Sequence, residues 1–135
     1  MAATPTLRTV TPYIVIRDAS KAIDFYKEAF GAAELMRQDR DGKIAHAEIQ
    51  IGDSPIMIVD EFPNFAFMRS LQSLGGSPVH IFLSVDDADA MAARAVAAGA
   101  KTIMEMSDKE YGRTGGVEDP FGLIWWITTP PKAGV

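Results

Sequence analysis

The sequence predicts an α+β fold made of two paired βαβββ modules, because one pattern occurs twice at a constant offset of 69 residues. Residues 11–19 form an extended apolar run that ends at an acidic turn, and residues 80–88 repeat it, so that Asp18 corresponds to Asp87. Each run leads into a helical pattern that ends at a Gly-Ala pair. A repeat of this length is too long for a solenoid unit and too short for two independent domains. We therefore expect two modules whose curled mixed sheets form a shared cleft within one domain over residues 1–135.

The first module, at about residues 10–60, has patterns in the order β-α-β-β-β. Asp18 or Ser20 is expected to cap the helix, whose apolar residues recur at helical spacing, and Gly31 to end it. An Asp-Gly pair at residues 41–42 is a strong hairpin signal between two of the strands. The elements are predicted at residues 11–17, 19–29, 33–38, 44–51 and 56–60.

The second module, at about residues 78–129, repeats this order with an alanine-rich helix that is capped by Asp86 or Asp87 and ended by Gly99. Its elements are predicted at residues 79–85, 87–98, 101–106, 113–118 and 123–128. Residues 61–77 link the modules, and a connection of this length is uncommon without a function. The Phe and Met side chains in this linker indicate burial against a second subunit or a ligand.

Composition narrows the functional classes. Apolar residues make up 47% of the chain and charged residues 23%, which is typical of a globular domain. The net charge of −5, with no tight basic cluster, argues against nucleic acid as a partner. The absence of cysteine excludes disulfides, thiolate metal sites and cysteine nucleophiles. No secretory signal is expected at residues 1–5 and no apolar stretch is long enough to span a bilayer, so we expect a cytoplasmic protein without a membrane partner.

Residues 24–32, 80–87 and 117–122 resemble the vicinal-oxygen-chelate superfamily, which includes glyoxalase I, bleomycin- and fosfomycin-resistance proteins and extradiol dioxygenases. Residues 46–54 are similar to its PhnB-like branch. The resemblance covers roughly residues 10–129 and implies paired modules around a cleft, usually within a homodimer. It is specific for the fold and weak for the activity, because one scaffold hosts many reactions.

Metal-dependent members of that superfamily place one ligand on each of four strands. The resemblance assigns these positions to Thr11, Met57, His80 and Trp126. A divalent cation needs several nitrogen or oxygen donors that converge, and His80 alone has a side chain of that kind. The resemblance therefore implies that the usual glyoxalase metal site is missing. This difference also weakens the resemblance to fosfomycin thiol transferases.

Strand alternation predicts an aromatic, thioether-rich pocket with one polar wall, which suits a planar or amphipathic organic ligand. Tyr111 and Arg113 lie in a glycine-rich segment, residues 110–116, that resembles the loop at the cleft of PhnB-like proteins. There Tyr111 could stack on a ligand and Arg113 could pair with a carboxylate or phosphonate, unless the segment is a turn with solvated side chains. The predicted ligand-binding residues are Thr11, His46, Glu48, Met57, His80, Phe82, Tyr111, Arg113 and Trp126.

The plausible catalytic residues are His46, Glu48 and His80. His46 and Glu48 share one strand face about 7 Å apart and could form a displaced metal site or a general-base pair. The alternative is a hydrogen-bonded or exposed pair on a half-solvated strand. His80, for its part, could bind a metal or instead bond to a ligand, a water or Ser84.

Two functions remain open on these grounds. The first is a metal-independent binding protein for a small organic ligand, such as one that sequesters an antibiotic or toxic compound. The second is a metal-dependent lyase, isomerase or dioxygenase that uses Ni, Zn or Fe at a rearranged site of His46, Glu48 and His80. Whether the protein is an enzyme is not decided by the sequence.

Overall fold

The computed structural model describes residues 8–131. They divide into two compact units, one ending at Gly75 and the other beginning at Gly76. Residues 1–5, in which no secretory signal is expected, lie outside the described range. Within that range, no helix is both long enough and apolar enough to cross a membrane. That the two units form one domain with a shared cleft stays a prediction.

The first unit contains a four-stranded mixed sheet in the order β1-β4-β3-β2. β1 runs parallel to β4, and the other neighbouring strands are antiparallel. Two helices accompany the sheet, a long one after β1 and a short one after β4. The elements are β1 (Tyr13–Val15), α1 (Ala19–Phe30), β2 (Ala33–Arg40), β3 (Lys43–Ile51), β4 (Ser54–Val59) and α2 (Leu71–Leu74).

Helix α1 packs an apolar face on this sheet. Ile23 and Tyr26 are fully buried, and the Tyr26 ring is stacked on Phe30 with their centroids 6.2 Å apart. Gly31 ends the helix at φ 68°, a left-handed conformation that glycine adopts without a steric penalty. The predicted helix is thus confirmed, with one more residue at its C-terminus than the sequence indicates. The predicted end at Gly31 is also confirmed.

The N-terminus of α1 is capped from a distant strand, and the predicted cap at Asp18 or Ser20 is wrong. Asp18 has a left-handed backbone and its side chain makes no capping bond. Instead, the Ala19 N–H donates to Asp60 Oδ1 at 2.9 Å, and Asp60 Oδ2 accepts from the Ile44 N–H at 2.7 Å. Asp60 is buried at the end of β4, so one carboxylate joins the helix to the sheet.

We expect Asp60→Asn to lower the free energy of unfolding by about 2 kcal/mol, because its amide NH₂ would face one of two buried backbone donors. Asp18→Asn is the matched control, since it occupies the cap position without capping, and should change stability by less than about 0.5 kcal/mol. Urea unfolding at pH 7 measures both variants. Equal effects of the two substitutions would contradict this account of the cap.

The second unit repeats the architecture of the first in a sheet of order β5-β8-β7-β6. Tyr13 pairs with Met57 in the first unit, and Phe82 pairs with Trp126 at the same 69-residue offset in the second. The α+β class and the two βαβββ modules are therefore confirmed. The elements are β5 (Ile81–Ser84), α3 (Ala88–Ala98), β6 (Lys101–Lys109), β7 (Gly112–Glu118) and β8 (Ile124–Thr129).

Helix α3 is capped locally as well as from the sheet. The Asp87 side chain accepts from the Ala90 N–H at 3.0 Å, as predicted. In addition, Thr129 Oγ1 accepts from the Ala88 N–H at 2.7 Å, and Thr129 stands at the repeat position of Asp60. Both long helices are thus tied to the end of a central strand.

The linker contains a short helix, α2, that the sequence does not predict. Ser70 caps it by accepting from the Ser73 N–H at 3.1 Å, and Glu61 in turn accepts from the Ser70 N–H at 2.8 Å. The Arg17 backbone exchanges two 3.0 Å hydrogen bonds with the Gln72 amide. These bonds hold α2 against the ends of β1 and β4 in the same unit.

The Glu61 anchor should make stability depend on pH. The backbone N–H of Ser70, helped by the Ser73 side chain and by Arg17, lowers the pKa of Glu61 from 4.5 to about 2. A lowered folded-state pKa stabilises the protein above pH 4.5, and that contribution is lost as the pH falls towards 2.

We therefore expect Glu61→Gln to be about 1 kcal/mol less stable than wild type at pH 7, with a difference that shrinks below pH 4.5. Urea unfolding at pH 7, 4.5 and 3 tests this expectation, with Glu110→Gln as an exposed control. A difference that persists unchanged at pH 3 would argue against the anchor.

Candidate functional site

Each sheet has one face covered by its long helix and a second face, here called the open face, on the other side. β3 shows the division: Ala47 and Ile49 are fully buried, whereas His46, Glu48 and Gln50 alternate with them and are half-buried. Most candidate ligand-binding side chains lie on the open faces, whereas Arg113 bonds to Asp89 of α3 on the helix face. Each unit is described separately.

The open face of the first unit carries a polar pair beside an aromatic ring. His46 Nε2 lies 3.2 Å from Glu48 Oε1, so the two residues predicted to share this face are in contact. The Tyr13 ring is stacked on the His46 ring with centroids 6.2 Å apart, and Tyr13 is 51% exposed. Sequence reasoning missed Tyr13, although the repeat that aligns it with Phe82 was available as a signal.

A cross-strand row runs through this open face. Tyr13 is paired with Met57, Met57 with Glu48, and Glu48 with Met36. Because directly opposed residues in a sheet project to the same side, the row places a phenol, two thioethers and a carboxylate next to one another. Thr11 precedes β1, and its hydroxyl donates to the Arg8 carbonyl at 3.4 Å.

The open face of the second unit is dominated by Trp126, whose ring lies over Gly116. A Cβ atom on Gly116 would be 2.6 Å from Cζ3 and 2.8 Å from Cε3 of Trp126, so only glycine leaves room for the ring. Gly116 is directly opposite Trp126 in the β7–β8 ladder, and Phe82 flanks Trp126 on β5. Sequence reasoning missed Gly116, because a glycine in a strand does not reveal which ring covers it.

The orientation of the Trp126 ring also involves His80, which lies just before β5. Trp126 Nε1 donates to His80 Nδ1 at 3.0 Å. An indole N–H can only donate, so Nδ1 must be the acceptor, and in the neutral ring the proton is on Nε2. His80 therefore presents an N–H donor at its remaining nitrogen. The neighbouring Trp125 points to the core, where it is fully buried and donates to Asp119 at 2.9 Å.

Arg113 is held by carboxylates of its own unit. Its guanidinium donates to both oxygens of Asp89, at 3.0 and 3.2 Å, and to Asp108 at 3.3 Å. The hydrogen bonds with Asp89 raise the pKa of Arg113 and lower that of Asp89. An anionic ligand at Arg113 would have to displace these carboxylates. Tyr111, the other residue predicted at this loop, is exposed.

A family model described as the Glyoxalase/Bleomycin resistance protein/Dioxygenase superfamily matches residues 7–127. The chain belongs to this superfamily. The resemblance seen in the sequence is thereby confirmed at the level of the superfamily.

Relatives and solved structures agree with this assignment. The uncharacterised protein Rv0887c of Mycobacterium tuberculosis is 42% identical over 127 residues, which cover 91% of this chain and 75% of that protein. The structure of the Arabidopsis thaliana gene product At5g48480 has a TM-score of 0.72 at 26% identity and covers 91% of this chain and 99% of its own. The structure of TnmS3, an antibiotic binding protein from Streptomyces sp. CB03234, has a TM-score of 0.67 at 25% identity. The match covers 93% of this chain and 99% of TnmS3.

The four positions that the superfamily resemblance assigns to metal ligands do not fit a divalent cation in this member. Thr11 offers a neutral hydroxyl and Met57 a soft thioether. Catalytic Ni, Zn and Fe sites that keep a coordination position open use nitrogen and carboxylate donors instead. The Trp126 indole has no lone pair to donate, and it occupies the Nδ1 lone pair of His80. Within residues 8–131, no group of three or more His, Asp or Glu side chains is placed to hold a metal ion.

Proposed function

We propose that this superfamily member is a metal-independent binding protein for a planar, amphipathic organic compound, and that it sequesters an antibiotic or another toxic molecule. The observation that carries the proposal is the Trp126 ring, which is spread over Gly116 and bonded to His80 where a metal-dependent member would have two ligands. An aromatic platform with a polar rim favours stacking with a flat ligand.

The proposed ligand-binding side chains divide into two groups by chemistry. Aromatic and thioether groups supply contact area, and the hydrogen-bonding groups of His46, Glu48 and His80 supply orientation. The likeness to TnmS3, an antibiotic binding protein, supports the proposed ligand class. The proposed ligand-binding set is Thr11, Tyr13, His46, Glu48, Met57, His80, Phe82, Tyr111, Arg113 and Trp126.

We also propose that the protein belongs to the PhnB-like branch, is cytoplasmic and does not bind nucleic acid.

We propose, in addition, that the protein is a homodimer. The linker supports a protein partner, because Phe65 and Phe67 are exposed and their rings lie 5.7 Å apart. An exposed aromatic pair of this kind favours burial against a second copy of the chain. Light scattering coupled to size-exclusion chromatography of wild type and Phe67→Ser measures this, and a monomeric wild type would refute the dimer.

The binding function is tested by isothermal titration calorimetry with a panel of planar amphipathic compounds at pH 7. We expect at least one compound to bind stoichiometrically and with unchanged affinity in the presence of EDTA, since no metal is required. Loss of binding in EDTA would refute metal independence, and uniform absence of binding would refute the function itself.

The second candidate is a metal-dependent lyase, isomerase or dioxygenase, and the 3.2 Å contact between His46 and Glu48 is the observation that favours it. Elemental analysis of protein purified without chelators separates the two functions. Stoichiometric nickel, zinc or iron that is lost in both His46→Ala and His80→Ala would support the enzyme.

A further inference from the structure

Glu48 is a largely buried carboxylate that has no Lys or Arg partner among the described residues. Its side chain is 12% exposed, and within the described residues its partner is His46 Nε2 at 3.2 Å. The N–H of an imidazole ring satisfies one lone pair of the carboxylate. A neutral imidazole ring supplies no positive charge. Burying a carboxylate without a cation is unfavourable, so such a group is retained where something else compensates it.

Two basic side chains, one on β2 and one on β3, the strand of Glu48, are directed elsewhere. Arg37 is on the neighbouring strand, but its guanidinium donates to Glu34 at 2.8 Å and to Ser20 of α1 at 3.0 Å, which places it on the helix face. Lys43 donates to the Glu61 carbonyl at 3.3 Å. Neither of these cations is available to Glu48 on the open face.

The groups around Glu48 are those that favour an organic cation. The exposed Tyr13 ring has an electron-rich face that attracts positively charged nitrogen. Met57 and Met36 stand directly opposite Glu48 on the two neighbouring strands, and their polarisable thioethers adapt to a flat apolar ligand. Carboxylate, ring and thioethers are therefore combined on a single face.

The internal repeat provides a comparison within the molecule. In the second unit the residue opposite Trp126 is Gly116, just as Glu48 is opposite Met57 in the first. The corresponding row of the second unit holds Phe82, Trp126 and Gly116 and contains no carboxylate. The fold therefore does not require an acid at this position, and Glu48 is a property of the first unit alone.

We propose that Glu48 is a specificity-determining residue that selects planar ligands carrying a positively charged nitrogen, such as a protonated aromatic amine. This inference rests on the proposed binding function and narrows its ligand class. On binding, the ammonium or ring N–H donates to the free lone pairs of Glu48, and the attached ring covers Tyr13 and the thioethers. His46 holds the carboxylate in position from the other side.

The test compares two flat tricyclic probes of similar shape, 9-aminoacridine, which is a cation at pH 7, and acridone, which is neutral. Calorimetric titrations use wild type, Glu48→Gln and, as a control for net charge, Asp39→Asn, whose carboxylate is exposed on β2. For wild type we expect roughly tenfold tighter binding of 9-aminoacridine than of acridone, the range of one charge-assisted contact. Glu48→Gln should lose this preference, so that it binds 9-aminoacridine no more tightly than acridone, and Asp39→Asn should retain it.

The outcomes separate this inference from the proposed function. If acridone binds and 9-aminoacridine has no advantage, or if Glu48→Gln weakens both equally, the cation selectivity is overturned while the binding function stands. If neither probe binds wild type, the cation selectivity and the proposed binding function are both overturned for planar ligands. Thermal unfolding gives a ligand-free measurement: Glu48→Gln should be as stable as wild type or more stable, and a clear loss of stability would show that Glu48 is structural.

Discussion

Replacement of Asp119 by alanine should lower the free energy of unfolding by about 4 kcal/mol, among the largest single effects in the molecule. Asp119 is buried in the turn between β7 and β8. Its Oδ1 accepts from the Phe121 N–H at 2.9 Å and the Leu123 N–H at 3.0 Å, and its Oδ2 accepts from the Trp125 indole at 2.9 Å. Alanine would leave all three donors without this acceptor.

Asp119→Asn should be milder than alanine, about 2 kcal/mol, because its amide oxygen can still accept from the turn while its NH₂ group opposes one donor. Glu118→Gln is the neighbouring control, and we expect it to change stability by less than about 0.5 kcal/mol. Urea unfolding followed by far-UV circular dichroism measures all three. If Asp119→Ala unfolded at nearly the wild-type urea concentration, the turn would not be held by this carboxylate.

Replacement of Trp126 by alanine should weaken the tightest compound of the calorimetric panel by roughly 30-fold or more, because buried aromatic anchors dominate binding energy. The ring is only partly exposed on the open face, so the fold itself should lose about 2 kcal/mol, less than for a fully buried tryptophan. Titration calorimetry and thermal unfolding of the same protein samples measure the two effects. A variant that binds as well as wild type would remove Trp126 from the site.

Two further variants separate the ring from its orientation. Trp126→Phe keeps an aromatic surface but lacks the N–H that bonds to His80, so a loss of about three- to tenfold is expected. Gly116→Ala keeps the whole indole but displaces it, since the new methyl group would overlap the ring. If Gly116→Ala bound normally, the flat position of the indole would be unimportant for binding.

Much of the fold is encoded locally and could be predicted. Each strand–helix–glycine pattern depends on residues that are close together in the sequence. Asp87, for example, accepts a hydrogen bond from an N–H only three residues away. The Asp60 cap could not be predicted in this way, because 41 residues separate it from Ala19. The short helix α2 was missed for a similar reason, since Glu61 holds its N-terminus from the other end of an eight-residue loop segment.

The candidate site was predictable in part. Alternation along β3 places His46 and Glu48 on one face, and the structure brings them into contact. Alternation gives the side of a sheet on which a ring lies, but not its tilt. The direction of the Trp126 indole depends on the absence of a side chain at Gly116 and on the acceptor at His80, two residues from other strands or their ends.

The matching registers of Tyr13 with Met57 and of Phe82 with Trp126 have an evolutionary consequence. One half carries an acid and the other an indole, and both keep the same backbone ladder. Chemical novelty in such a protein can therefore arise by divergence between halves, without any new architecture.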